Sequence, residues 1–185
     1  MKKIIINRIH VTLSALVLFS SLTFPQPAGA TPFGQGVFGA DIPFGSMTSL
    51  SIALSGNVSV NLAPNGSIFE GTGTSTVTVT STDAVGYKLY AYSPSSNTMV
   101  NGSDSIPASN NSSPAPLSVN TWGYNTNGSA NYLGMLTTPS LIKDASGPYK
   151  SGDNTTITYK ALTNITKGAG NYTVGVVYTA TPAHP

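Results

Sequence analysis

The 185-residue chain contains no cysteine, and charged residues make up only 8% of it. Without cysteine, the chain has no disulfide framework, no thiolate metal site and no cysteine-linked lipid anchor. Lysine and arginine are too few to form the clustered positive charge that nucleic-acid binding requires. We therefore expect no nucleic-acid partner and no cofactor. The surface is expected to consist mainly of serine, threonine, asparagine, glycine and tyrosine.

Catalytic groups are also scarce. His184, close to the C-terminus, is the only histidine beyond the first ten residues, and a chain end holds an imidazole poorly for a Ser-His-acid triad. No metal-ligand spacing or EF-hand loop is present, so we expect no metal and no catalytic residue. A secreted hydrolase remains the weakest alternative. It would have to use two of the acidic residues, which are Asp41, Glu70, Asp83, Asp104, Asp144 and Asp153.

Long apolar runs are missing except near the start of the chain. Lys2, Lys3 and Arg8 precede an apolar stretch at residues 11–24, and small residues lead up to Ala30. This order is typical of a secretory signal peptide that is cleaved after Ala30. The stretch is too short to span a bilayer comfortably, so we expect no stable membrane insertion. The mature protein is predicted to be secreted, on a bacterial cell surface, with a net charge of about −1 once these basic residues are removed.

Alternating apolar and polar residues dominate residues 74–93. Val77 and Val79 alternate with threonines, and after a turn at Gly86 an alternating set resumes that contains Leu89 and Ala91. Because a strand points successive side chains to opposite faces, this pattern predicts two strands, and the turn between them predicts that they pair as a hairpin.

Further strands are predicted at residues 50–54, 58–62, 155–161 and 172–180, with a hairpin turn at Gly56 and Asn57 joining the first two. No helical spacing occurs outside the signal peptide. Short strands separated by turn signals predict an all-β protein with a single antiparallel β-sandwich of the Ig-like or pilin-like kind. A closed barrel is the alternative.

The predicted organisation has four parts. Residues 1–30 are the signal peptide, 31–48 an N-terminal arm and edge strand, 49–181 the sandwich and 182–185 a tail. Within the sandwich, residues 93–116 are rich in proline, serine and asparagine and are predicted to be a long loop. In the arm, Phe38, Ala40, Ile42 and Phe44 occupy alternate positions. We expect residues 31–44 to add to an open sheet edge and to exchange between subunits.

Five aromatic residues are candidate ligand- or partner-binding residues: Trp122, Tyr124, Tyr132, Tyr90 and Tyr92. In one interpretation these residues, together with Tyr87, form a stacking platform for sugar rings; in the alternative Trp122 is a core residue. Tyr90 and Tyr92 fall on the strand face opposite Tyr87, so one of the two sets should face solvent or an interface. A tyrosine stripe with little charge would be adhesive.

Glu70 is the only glutamate in the chain. A Lys–Asn isopeptide crosslink catalysed by this residue would suit a surface domain without disulfides. No sequence motif marks such a crosslink.

Three stretches resemble secreted bacterial surface modules. They are residues 42–45 (IPFG), residues 76–80 (TVTVT) leading into 86–89 (GYKL), and residues 170–174 (GNYTV). The order resembles the pilin-like sandwiches of the spore coat U type, which are assembled by chaperone and usher. It is also similar to WxL cell-wall-binding domains, although Tyr87 and Tyr178 stand where those domains place tryptophan. The resemblance spans about residues 41–181, and it implies a location and a fold class but no binding residue.

We expect a secreted, non-catalytic structural or adhesive protein of the cell surface that assembles into a fibre or coat. Its partners would be further copies of itself or other surface proteins. The alternative is a WxL-like module that binds cell-wall polysaccharide or another glycan.

Overall fold

The computed structural model describes residues 2–6, 10–11, 49–82 and 84–183. Over these residues the protein is an antiparallel β-sandwich without helix, which confirms the predicted fold class. The strands, numbered in chain order, are β1 (Lys2–Ile6), β2 (His10–Val11), β3 (Ser49–Leu54), β4 (Val58–Asn65), β5 (Ile68–Thr82), β6 (Gly86–Tyr92), β7 (Thr98–Asn101), β8 (Asp104–Pro107), β9 (Thr121–Asn125), β10 (Ser140–Ser146), β11 (Tyr149–Asn164), β12 (Asn171–Tyr172) and β13 (Val177–Ala183).

The strands form two main sheets and one small hairpin. The larger sheet has the order β12-β1-β4-β5-β11-β9, with β3 also paired to β5, and the smaller sheet has the order β10-β6-β13-β2. The longest ladder joins β5 to β11, from the pair Ile68 and Asn164 to the pair Ser81 and Tyr149. Within the described residues, the parallel pairings are β1 with β12 and β2 with β13.

One core lies between the two sheets. Alternation along each strand places every second side chain inward, so the larger sheet contributes valines and tyrosines that meet the inner face of the smaller sheet. Most of these side chains are completely buried, and they include Val77, Val79, Ile157, Tyr159, Tyr87, Leu89, Ala91, Tyr178 and Ala180. In the predicted strands 155–161 and 172–180, residues at alternate positions are buried, but the second stretch is divided into β12 and β13, with residues 173–176 outside both strands.

The predicted hairpin over residues 74–93 is wrong in its pairing, although both strands exist. β5 pairs with β3, β4 and β11, whereas β6 pairs with β10 and β13 in the other sheet. The connection between Thr82 and Gly86 therefore crosses from one sheet to the other. Facing sheets bury the apolar side of both strands at once, which a two-stranded hairpin cannot do.

The predicted hairpin at Gly56 and Asn57 is also wrong. β3 and β4 do not pair with each other but follow one another along the same edge of β5. β4 leaves that edge where β5 carries Gly71 and Gly73, and its backbone passes close over both glycines. A side chain at Gly71 would overlap the carbonyl oxygen of Asn61, so glycine is required for this close approach.

Residues 93–116 are more ordered than a plain loop. They contain the β7–β8 hairpin, and the amide of Ser109 donates to the carbonyl of Trp122 at 2.7 Å. β13 extends to Ala183, past the predicted boundary at 181. The predicted arm at 31–48, together with Asp41, Asp83 and His184, lies outside the described residues.

Gly71→Ala should lower the free energy of unfolding by about 1–3 kcal/mol, because the added methyl group must displace the backbone of β4. Urea denaturation of residues 31–185 measures the change. Thr72→Ala in the same strand is the matched control, since Thr72 is exposed. Equal stability of the two variants would contradict the close approach.

Candidate functional site

Trp122 is a core residue and not an exposed platform. Its side chain is completely buried, and its indole N–H donates to the carbonyl of Asn97 at 2.9 Å. The ring packs against Tyr159, with ring centroids 6.3 Å apart. A buried indole needs a hydrogen-bond partner, and Asn97 supplies it. Trp122 is therefore not available to stack on a sugar.

Tyr124 and Tyr132 are also buried, with 2% and 6% of their surface exposed. β9 pairs with β11 on one side and meets residues 132–133 on the other, where Tyr124 and Leu133 exchange backbone hydrogen bonds. The backbone of Leu133 and the side chain of Tyr132 lie close against Gly123, so β9 is covered as well. The stacking-platform interpretation of these three residues is therefore wrong, because the polypeptide itself occupies their aromatic faces.

Sequence reasoning missed a buried pair of phenols. The hydroxyl groups of Tyr159 and Tyr178 form a hydrogen bond across the core between β11 and β13. Burial raises the pKa of Tyr159, and burial likewise raises the pKa of Tyr178, so both phenols stay neutral. The alternation of each strand marks these tyrosines as inward-facing, but only the structure brings their hydroxyl groups together.

Tyr90 and Tyr92 lie on the outward face of β6, as their position opposite Tyr87 predicts. Both are partly exposed, and Leu141 of β10, directly beside Tyr90, is 48% exposed. We call Tyr90, Tyr92 and Leu141 the tyrosine face. It combines phenol rings with an exposed leucine and is the part of the aromatic prediction that remains available to a ligand or partner.

Three of the acidic residues are each paired with a different lysine. The pairs are Lys88 with Asp144 at 2.5 Å, Lys143 with Asp153 at 2.7 Å and Lys160 with Glu70 at 2.6 Å. Each pair joins neighbouring strands of the sandwich or its two sheets. This arrangement neutralises the carboxylates one by one instead of gathering them, and it accounts for the low charge of the surface.

Asp153 links the two sheets. Its carboxylate accepts a hydrogen bond from the hydroxyl of Tyr87 and another from Lys143, each at 2.7 Å. Tyr87 and Lys143 belong to the smaller sheet, whereas Asp153 belongs to β11 of the larger one. The ring of Tyr149 packs edge-on against Tyr87, with centroids 5.7 Å apart. Asp153 is therefore a polar contact between the two sheets, which no pattern in the sequence predicts.

Glu70 lies between the two groups that an isopeptide crosslink would join. One carboxylate oxygen contacts Lys160, and the other accepts a hydrogen bond from the side-chain amide of Asn65 at 2.6 Å. The hydrogen bond from Lys160, and then that from Asn65, lowers the pKa of Glu70. Amide transfer assisted by Glu70 requires a protonated carboxyl group in a dry site, whereas the pKa of Glu70 is lowered and both side chains are partly exposed to water. The geometry is therefore that of an ion pair without the chemistry of a crosslink.

Within the described ranges, no group of three or more metal-binding side chains occurs, and no helix is long and apolar enough to cross a membrane. Comparison of the chain with family models, with curated proteins and with solved structures gives no significant match.

Trp122→Ala should lower the free energy of unfolding by about 3–5 kcal/mol, because it leaves a cavity and removes the hydrogen bond from the indole to the carbonyl of Asn97. Tyr90→Ser should change stability by less than about 1 kcal/mol, since Tyr90 lies on the surface. Thermal or urea denaturation of the two variants measures the difference. Comparable losses in both would show that Trp122 is not the core residue described here.

The intact mass of residues 31–185 should equal the mass of the unmodified chain, because the ionised Glu70 does not promote loss of ammonia (about 17 Da) from Asn65. Glu70→Gln should lower stability at neutral pH by less than about 1 kcal/mol, as expected for a partly exposed ion pair. Since the pKa of Glu70 is lowered on folding, the parent should lose this advantage as the pH falls through that pKa. A mass loss that Glu70→Gln abolishes would contradict this assignment.

Proposed function

We propose that the chain is exported and serves as a non-catalytic structural or adhesive protein on a bacterial cell surface. The observation that carries the proposal is the outward face of the larger sheet. There, threonines of β5, including Thr76 and Thr78, lie beside Asn154 and Thr156 of β11. Thr78 donates a hydrogen bond to Asn154 at 2.7 Å. The result is a broad face of hydroxyl and amide groups.

Such a face suits contact with copies of the same chain or with other uncharged surfaces. Hydroxyl and amide groups bind through hydrogen bonds that salt screens little, in contrast to surface charges. A net charge close to zero removes the repulsion that keeps proteins apart and so favours self-association. Assembly into a coat or fibre follows as the function that best uses this surface.

The pairing of the carboxylates supports a non-catalytic function. A glycosidase needs one carboxyl group with a raised pKa as the acid and a second carboxylate facing it. The pKa of Glu70 is instead lowered by Lys160, and Asp144 and Asp153 are each bound to a lysine. These side chains contribute to the sandwich and leave no free pair among them.

The alternative is a module that binds cell-wall polysaccharide or another glycan. It is favoured by the tyrosine face, because phenol rings beside an exposed leucine can pack against the apolar faces of sugars. Since Trp122, Tyr124 and Tyr132 are buried, this alternative now rests on Tyr90 and Tyr92 alone.

Two measurements on residues 31–185 separate these functions. Light scattering should detect assemblies that grow with protein concentration and change little between low and high salt. Sedimentation with insoluble peptidoglycan should retain the parent no better than a Tyr90→Ser/Tyr92→Ser variant. Val119→Ser, which removes an exposed apolar side chain elsewhere, is the control. The structural proposal would be overturned, and the alternative established, by two results together: the protein stays a monomer at every concentration, and its retention by peptidoglycan depends on the two tyrosines.

A further inference from the structure

β1 lies between β4 and β12 in the larger sheet, and β2 lies along β13, the final strand, in the smaller sheet. β1 pairs antiparallel with β4, from Lys2 opposite Leu62 to Ile6 opposite Val58, and parallel with β12 on its other side. β2 continues along β13, where His10 and Val11 lie opposite Val177 and Tyr178. We call the space that these two strands fill the slot.

Both strands run parallel to their neighbours, β1 to β12 and β2 to β13. Lys3 lies opposite Asn171 and His10 lies opposite Val177, so the two pairings keep almost the same register from one sheet to the other. The slot therefore has a defined length and a defined direction.

The residues in the slot belong to the predicted signal peptide, and their removal leaves residues 58–62 of β4 without a paired strand. β5 pairs with β4 only at Ala63, Pro64 and Asn65, so the ladder of residues 58–62 is formed with β1 alone. Buried backbone groups that lose their partners are costly. The walls of the slot are also apolar, because Val58, Val60, Leu62, Tyr172 and Val176 point into the core.

We propose that, after cleavage, the arm at residues 31–48 of the same chain replaces the signal-peptide strand in the slot. The proposal rests on the export part of the proposed function, since it requires removal of residues 1–30. It does not depend on what the exported protein binds.

The position of Ser49 gives the arm the correct direction. Ser49 pairs with Thr82 at the start of β3, and Ala183 pairs with Gly86 just after the same sheet-to-sheet connection, so Ser49 and Ala183 lie at the same end of the sandwich. β3 also lies close to β13. A strand that leads from the far end of the slot up to Ser49 must run parallel to the final strand, as β1 and β2 do.

The arm is also long enough. An extended chain covers about 3.3 Å per residue, so residues 31–48 reach about 60 Å, whereas the stretch from the start of β12 to the end of β13 spans about 40 Å at most. The difference leaves enough residues for a turn before Ser49. Cleavage after Ala30 thus leaves a chain whose first residues can start at the far end of the slot.

The side-chain pattern of the arm matches the walls. Phe38, Ala40, Ile42 and Phe44 occupy alternate positions, so one face of an extended arm is apolar throughout this part. With that face inward, the register that we propose sets Ala40 beside Tyr178 and Ile42 beside Ala180, both of which are buried. The glycines and the charged Asp41 then face outward.

The sequence alone suggested that the arm exchanges between subunits. Because the arm is long enough to reach the slot of its own sandwich, we expect it to bind there and not in a neighbouring subunit. A tethered segment that fits its own slot has an effective concentration far above that of a second copy in dilute solution. Exchange between subunits would use the same slot and the same face of the arm. The two arrangements therefore differ only in which chain supplies the strand.

The absence of cysteine allows a direct test by disulfide trapping. Asp41→Cys combined with Thr179→Cys places two thiols on the outward face of adjacent strands, within the distance of a disulfide. Gly39→Cys and Pro43→Cys, each combined with Thr179→Cys, test the neighbouring registers. Asp41→Cys with Thr74→Cys is the control, because Thr74 is exposed on β5 of the other sheet. Purified residues 31–185 are oxidised gently and analysed by non-reducing electrophoresis and peptide mapping.

We expect an intrachain disulfide in a monomer for at least one of the three Thr179 pairs, and none for the control. A chain that begins at residue 45 should melt at a temperature lower by at least about 5 °C, and a synthetic peptide of residues 31–44 should restore it. A Phe38→Ser/Ile42→Ser peptide should not.

Disulfides that join two chains would show exchange between subunits and overturn the proposal. Absence of any trapped disulfide together with an unchanged melting temperature would also overturn it. The export part of the proposed function is tested separately, by N-terminal sequencing of the protein from its natural source. A sequence that begins at Met1 would show that residues 1–30 are not removed. The trapping experiment on residues 31–185 gives its answer in either case.

Discussion

The ladder between β5 and β11 is the structural constraint on which the sandwich is built. These two long strands carry the inward residues Val77, Val79, Ile157 and Tyr159, all buried at 1% exposure or less. Their length sets where β3, β4 and β9 can pair, and their inner face sets what the smaller sheet must cover. Because the chain has no disulfide, burial of this face has to supply most of the stability.

Polar contacts add specificity to that apolar core. Asp153 joins Tyr87 and Lys143 across the two sheets, and the hydroxyl groups of Tyr159 and Tyr178 meet inside the core. A buried polar group left without its partner is costly, so these contacts favour one alignment of the sheets over shifted ones. On the surface, three lysines each pair with one carboxylate, and the remaining exposed groups are mostly hydroxyl and amide groups.

Alternation predicted β3 to β6, β11 and β13, but it missed the β7–β8 hairpin inside the predicted loop 93–116, and it did not predict how the strands pair. A strand next in sequence can continue in the same sheet or cross to the facing one, and the residues between Thr82 and Gly86 carry no signal that decides. The course of β4 depends on Gly71 and Gly73, whose contacts involve a backbone distant in sequence. Trp122 shows the same limit for the candidate site. The burial of Trp122 depends on residues 93–116, which pack over β9. These residues show no periodic pattern from which this packing could be predicted.

The sandwich is completed by β1 and β2, which belong to the predicted signal peptide, so the proposed cleavage leaves residues 58–62 of β4 either to pair with another strand or to stay unpaired. Native-state amide hydrogen exchange on residues 31–185 tests this most directly. Slow exchange is predicted for the β5–β11 ladder, and comparable protection for the amides of residues 58–62 because the arm refills the slot. Exchange of residues 58–62 at the rate of an unfolded peptide, with β5 and β11 still protected, would contradict this account and leave the slot open in the mature protein.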